Sequence, residues 1–289
     1  MALRHRVLAG LLAGLLGAGC STAPRRSARG DFQVMVRGSD TMLVLNRSLA
    51  AAFMRENPGV AVLVEGGGSG AGIEALISGD VDICAASRPL RPGELRRLYE
   101  ATGRLGVRFT LALDPLAIFV HPSNPVAALS LEDLAGLLTG RIRNWSAVGG
   151  ADLPVVPVVR PPVSGTHGFL ADRVLGGEPY APGAVVLPTT RAVVRRVASD
   201  PACLGYGGIA WARGVKLCAI EGIRPGTDPG TLRRYPLTRS LYYYTARPPG
   251  GWPGRFVRWC LGPGGQRVIA RVGYVPLWPP GPRSDPDDA

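Results

Sequence analysis

Lysine is almost missing from this chain. Of its 289 residues 33 are basic, and Lys216 is the one lysine among them. Histidine is nearly as scarce, with only His5, His121 and His167. No C-x-x-C pair and no His/Cys spacing of the zinc-holding kind occurs, so neither a metal nor another cofactor is expected. The glycine-rich run at 66–72 lacks the Lys-Ser/Thr pair that would follow in a P-loop, which argues against an NTPase. No repeat recurs at a fixed period. Beyond the amino terminus, no apolar run approaches the roughly 20 residues of a membrane-spanning helix.

What is present is a large apolar fraction and an excess of arginine. Hydrophobic residues make up 46% of the chain, enough to bury a sizeable core. The formal charge is +12, and the arginines are scattered rather than gathered on one face. Nothing resembles a nucleic-acid module, so nucleic acid is not an expected partner. A positive field of this kind draws in anions.

The amino terminus has the form of a targeting segment. Arg4, His5 and Arg6 precede a short apolar run from Val7 to Ala18. The run ends Leu15-Leu16-Gly17-Ala18-Gly19-Cys20, which resembles a bacterial lipobox, although Gly17 stands where a branched apolar residue is usual. The expectation is a signal peptide over 1–19 and a lipidated Cys20 as the new first residue. Residues 20–30, rich in Ser, Ala, Pro, Arg and Gly, read as a flexible tether, and 281–289 as a disordered Pro/Asp tail. Cys84, Cys203, Cys218 and Cys260 remain. Four cysteines allow three pairings, of which Cys203 with Cys218, in neighbouring apolar segments, is favoured.

The body alternates strands and helices. Strands are expected at Phe32–Val36, Val60–Glu65 and Asp82–Ala86, and helices at Met42–Asn57, Ile73–Ser78 and Arg91–Glu100. This βαβαβα unit implies an α/β fold with a largely parallel sheet. Leu116–Val120 opens a second region, with a helix at Leu131–Leu138, a strand at Val155–Arg160, helices at Phe169–Leu175 and Arg191–Ser199, and a strand at Gly205–Ile209. Tyr235–Tyr244 is again strand-like, and two helical stretches follow.

One local pattern occurs four times: a strand, a Gly/Ser/Thr-rich turn, then an expected helix start. The turns are Gly38–Thr41, Gly66–Gly72, Ser87–Arg88 and Ser164–Thr166. Free backbone N–H groups and the positive end of the helix dipole favour an anion there, and hydroxyls add donors. All four follow predicted strands, where open α/β sheets bind ligands. Arg160, at the end of a strand, adds a full charge and a fork suited to an oxyanion.

Together, Gly38-Ser39-Asp40-Thr41, Gly66–Ile73, Ala86-Ser87-Arg88-Pro89 and Arg160 with Ser164-Gly165-Thr166 resemble the phosphate-binding subunits of bacterial phosphate ABC transporters. Tyr235–Tyr242 and Gly273–Leu277 extend the match from Val34 to Leu277. The resemblance implies a type II periplasmic-binding-protein fold, two α/β lobes joined by a two-strand hinge. One lobe would comprise 31–116 and 238–280, the other 117–237. It implies no enzymatic activity, but binding of inorganic phosphate between the lobes by Ser39, Thr41, Ser69, Ser87, Arg88, Arg160, Ser164, Gly165 and Thr166, and delivery to the permease subunits of the transporter. The protein would be an extracytoplasmic monomer held to a membrane by its lipid. Arg88 could instead pair with a nearby acid. Some family members carry an aspartate at the place of Ser87, where it accepts the proton of bound phosphate and repels sulfate. Ser87 repels nothing, so another oxyanion such as sulfate or molybdate, or a sensing or scavenging role, stays open.

An enzyme is the competing class. Gly67-Gly68-Ser69-Gly70-Ala71 approaches a nucleophile elbow, but its fifth residue is Ala71 rather than glycine. A hydrolase would need Ser69 within hydrogen-bond reach of a base such as His167.

Overall fold

The computed structural model describes residues 32–279. The expected targeting segment, Cys20, the tether and the 281–289 tail lie outside the described residues. Among those described, no helix is long and apolar enough to cross a membrane.

The first part alternates as expected: β1 (Phe32–Gly38), α1 (Leu43–Glu56), β2 (Val60–Glu65), α2 (Ser69–Ser78), β3 (Ile83–Ala86) and α3 (Pro92–Thr102). Then come β4 (Val107–Val120), β5 (Ala128–Leu129), α4 (Leu131–Thr139), β6 (Val156–Val159), α5 (Gly165–Arg173), β7 (Val185–Val186), α6 (Thr190–Ser199), β8 (Cys203–Gly208), β9 (Lys216–Ile220) and α7 (Pro229–Arg234). β10 (Thr238–Thr245), α8 (Gly251–Leu261) and α9 (Pro263–Val272) complete the order.

β1 pairs in parallel with β2 and β3, and β10 lies antiparallel between β3 and β4. Apolar alternation sorts the two faces of this sheet. Val34, Val36, Ile83 and Ala85 pack under α1, α8 and α9, whereas Cys84 and Ala86 pack under α2 and α3.

β4 builds the junction. Up to Pro115 it pairs with β10; from Leu116 it pairs instead with β8 on one side and β9 on the other. Proline has no N–H to give a ladder, and Pro115 stands where the strand changes partners. Beyond it, Leu116, Ile118 and Val120 face the core of α4 and α5, while Ala117 and Phe119 face α6. The chain returns through Tyr235–Leu237, which is bonded to the same point: the Leu116 amide donates to the Leu237 carbonyl at 3.0 Å, and the Tyr235 hydroxyl donates to the Leu116 carbonyl at 2.8 Å. Two α/β lobes joined by two crossing strands result, in the type II arrangement.

Several expectations change. β4 begins at Val107, not Leu116, because its first half is a hinge strand continuous with the second. α2 begins at Ser69 inside the glycine-rich turn, and α5 at Gly165, so helix starts lie closer to the strand ends than the sequence suggested. The Ser87–Arg88 turn is not a helix start. Arg88 precedes Pro89, Arg91 precedes Pro92, and residues before proline disfavour helical backbone, so α3 begins only at Pro92. All four cysteines of the folded body are free and buried. Cys203 and Cys218 cannot pair, since β4 lies between their strands and their side chains enter the cores on opposite faces. Two strand spacings exceed the reach of a disulfide.

Candidate functional site

β1 delivers the first turn. At its end Gly38 has a φ of +148°, and a Cβ there would lie 2.0 Å from the Ala85 carbonyl oxygen, so only glycine lets the tips of β1 and β3 meet. The Ser39 amide donates to that same carbonyl at 2.8 Å. Ser39, Asp40 and Thr41 are all buried.

The second and third turns meet the first. The Gly68 amide donates to the Gly38 carbonyl at 3.0 Å. Ser69 opens α2 with its side chain fully buried, and its Oγ accepts from the Ser87 amide at 3.1 Å and lies 3.3 Å from Ser87 Oγ. Three turns that are distant in sequence therefore cluster at the carboxyl ends of β1, β2 and β3.

The fourth turn approaches from the other lobe. Ser164 caps α5, its side chain accepting from the His167 amide. The Gly70 amide donates across to the Val163 carbonyl at 2.9 Å, and Thr41 Oγ1 lies 3.0 Å from Thr166 Oγ1. A Cβ at Gly165 would fall 2.2 Å from Ser69 Oγ and 2.5 Å from Ser87 Oγ. Seven predicted residues are thus brought into one buried cluster between the lobes: Thr41, Ser69, Ser87, Ser164, Gly165 and Thr166 with Ser39 beside them.

Arg160 reaches the same interface. Its Nη2 donates to Asp40 Oδ2 at 2.7 Å and to the Pro188 carbonyl at 2.8 Å, and its Nη1 donates to Thr190 Oγ1 at 3.0 Å. Burial lowers its pKa and the Asp40 charge opposes this, while neighbouring Arg239 lowers it further. The group nonetheless stays charged, because an arginine titrates above about 12. Its backbone amide donates to the Tyr206 hydroxyl at 2.9 Å, and burial pushes the pKa of that phenol up to about 12.

Arg88 takes the alternative left open for it. Both ends of its fork donate to Glu94, each at 2.7 Å, and it also donates to the Pro89 carbonyl. Burial raises the pKa of Glu94, but the Arg88 and Arg91 hydrogen bonds outweigh it and the net direction is down. His167 is half-buried, stacks on Tyr180 at 4.3 Å between ring centroids, and gives its Nδ1–H to the Arg160 carbonyl at 2.7 Å. That bond and the Ser69–Ser87 contacts leave the Ser69–His167 pair of a hydrolase unformed. A groove of about 1070 Å³ lies at the other end of β1, lined by Phe32, Trp252 and Arg104, and shares no residue with the cluster.

Four participants escaped the sequence reading. Asp40 lay inside a recognised turn but was given no role, and Arg239 lay inside the Tyr235–Tyr242 run. Asp114 and Thr190 carried no local signal. Arg239 pairs with Asp114 and donates to Thr166 Oγ1 at 3.0 Å. Each of these roles depends on a partner far away in the chain.

Chemically, the cluster offers hydroxyls, two helix starts and a buried guanidinium, all donors, as a compact oxyanion requires. Fold and cluster define a two-lobed binding protein of the type II periplasmic kind. A profile described as a PBP superfamily domain matches residues 23–263, and the chain belongs to that superfamily. It is 27% identical over 263 residues to the phosphate-binding protein PstS of Pseudomonas aeruginosa, covering 83% of this chain and 81% of that one. Among solved structures it is similar to an ABC-type phosphate transport receptor from Vibrio cholerae, with 28% identity, a TM-score of 0.68, and coverage of 84% and 99%. A phosphate ABC transporter substrate-binding protein from Clostridium perfringens, solved with bound phosphate, shares the fold at a TM-score of 0.78 and 24% identity, covering 85% of this chain and 100% of that one.

Proposed function

We propose that this protein binds inorganic phosphate between its lobes and delivers it to the permease subunits of an ABC transporter. The observation that carries the reading is the convergence of four separate turns with Arg160 at one buried interface, Thr41 and Thr166 meeting at 3.0 Å across it. Its relatives in Pseudomonas aeruginosa and Vibrio cholerae are a phosphate-binding protein and a phosphate transport receptor.

In this reading Ser39, Thr41, Ser69 and Ser87 hold the anion from the lobe of 31–116 and 238–280. Arg160, Ser164, Gly165 and Thr166 close on it from the lobe of 117–237. Closure removes water, and each hydrogen bond strengthens in the lower dielectric. Arg88, held in both forks by Glu94, braces the third turn rather than gripping an oxygen. The protein acts as a binder and not as an enzyme: no bond of the ligand is broken. It works as a monomer outside the cytoplasm, tethered through a lipid on Cys20, and needs no cofactor.

A second ligand class is favoured by one observation. Ser87 and Ser69 are hydroxyl partners, and neither repels a fully deprotonated anion as a carboxylate would. Sulfate or molybdate binding, or sensing without transport, would follow from that. Calorimetry with phosphate, arsenate, sulfate and molybdate across pH separates these. Phosphate is expected to bind tightest, and Arg160→Ala to abolish detectable binding. Sulfate binding as tight as phosphate would overturn the phosphate assignment, and unchanged affinity in Arg160→Ala would overturn the site.

A further inference from the structure

Arg239 is a second buried arginine beside the cluster. It stands one residue into β10, just after the chain recrosses between the lobes, and strand register sets it directly opposite Asp114 of β4. Its Nε and Nη2 both donate to Asp114 Oδ2, at 3.0 and 2.8 Å. The side chains of the pair are 2% and 0% exposed. Its guanidinium carbon lies 5.6 Å from the Phe169 ring centre on α5. Nη1 remains, and it donates to Thr166 Oγ1 at 3.0 Å. The fork is therefore divided between the two lobes, one edge on a crossing strand and one tip on the second residue of α5.

We propose that Arg239 is a positioning residue: anchored by Asp114, it fixes Thr166 as a hydrogen-bond donor to the bound anion and ties the start of α5 to the hinge. A threonine hydroxyl has one proton and accepts through its oxygen. With Arg239 donating to that oxygen, the Thr166 proton turns outward, toward Thr41 Oγ1 at 3.0 Å or toward a ligand oxygen in the same place. Ser69 is set in the same way, its Oγ accepting from the Ser87 amide. Asp114 has little other use for its charge: among the described residues its Oδ1 has no hydrogen-bond partner and faces Gly208, where a Cβ would come within 2.8 Å. Because Asp114 and Arg239 sit on the two hinge strands, rotation of the lobes shifts Thr166 against a fixed donor. The inference rests on the oxyanion reading of the site.

The experiment compares the full protein with Arg239→Gln, Arg239→Lys, Thr166→Val and the Arg239→Gln/Thr166→Val double variant. Phosphate affinity is read by calorimetry and local opening by amide hydrogen exchange. Arg239→Gln is expected to weaken phosphate binding roughly 10- to 100-fold, the range for losing a charge-assisted hydrogen bond. Arg239→Lys should recover only part of this, since an ammonium cannot serve both partners as a fork does. In the Thr166→Val background the Arg239→Gln effect should nearly vanish. Exchange at 165–168 should rise in Arg239→Gln, while β1 and β2 stay protected. Full persistence of the affinity loss in the Thr166→Val background would mean direct ligand contact and overturn positioning. A lower melting temperature with unchanged affinity and unchanged exchange at 165–168 would leave only a structural role and also overturn it. If the unsubstituted protein fails to bind phosphate, the phosphate reading falls, and hydrogen exchange at 165–168 alone then decides for or against the Arg239 tie.

Discussion

Arg160 and Asp40 join the two lobes by a buried ion pair, Nη2 to Oδ2 at 2.7 Å, with side chains 2% and 10% exposed. The carboxylate also accepts the Gly67 amide at 3.1 Å through its other oxygen, so one side chain organises two turns and one guanidinium. Asp40→Asn would leave the Arg160 charge buried without its counter-ion. The expected loss is about 3 kcal/mol of unfolding free energy, measured by urea denaturation. A loss below about 0.5 kcal/mol, the size of an ordinary surface substitution, would mean that the pair is not formed in solution.

Gly165 sets how closely the lobes meet. Gly165→Ala places a methyl 2.2 Å from Ser69 Oγ and 2.5 Å from Ser87 Oγ, both fully buried and held by neighbours. Alanine is the better helix former, so any harm is steric. Overpacking of this size costs about 2 kcal/mol, which opposes closure and lowers phosphate affinity by about 30-fold. Small-angle scattering should show a larger radius of gyration, with unchanged secondary structure by circular dichroism. Unchanged affinity and radius would refute the contact.

Arg88 separates bracing from ligand contact. With both ends of its fork on Glu94, Arg88→Met should leave phosphate affinity within about threefold, as when no direct contact is lost. Glu94→Gln should instead lower thermal stability, since Glu94 also accepts the Arg91 amide at the start of α3. A loss of phosphate affinity in Arg88→Met comparable to that in Arg160→Ala would return Arg88 to the ligand shell.

His167 predicts a pH dependence of known sign. Burial lowers its pKa from the ordinary 6.5, and its bond to the Arg160 carbonyl opposes this only in part. The unfolded chain therefore binds the proton more readily than the folded one. This contribution to stability is present above about pH 6.5 and is lost as pH falls from there through the lower folded-state value. Urea unfolding between pH 7.5 and 5, on the intact protein and on His167→Asn, reads it as a difference in slope (about pH units of that range). Equal slopes would show that His167 titrates normally.

Much of the site could be read in the chain itself. Local rules carried it: glycine and hydroxyl residues after apolar alternation mark strand ends and turns, and Arg160 stood four places before Ser164. Those rules misjudged helix starts by a few residues at α2 and α5, because a cap is decided by which amides find partners. The Cys203–Cys218 expectation failed for a related reason. Proximity along the chain says nothing of β4 lying between the two strands.

The sequence by itself determined the α/β class, the alternation of elements, and the four turns with Arg160 as donors for an anion, because periodicity and turn chemistry act over a few residues. Only the tertiary structure decided which charges meet. Asp40 with Arg160 are 120 positions apart, and Asp114 with Arg239 are 125 apart. Arg88 could have gripped a ligand or an acid until the fold set Glu94 against it. Buried charges are stabilised by whichever opposite charge the packing brings within about 3 Å, and that choice is made by strand register and lobe contact rather than by neighbours in the chain.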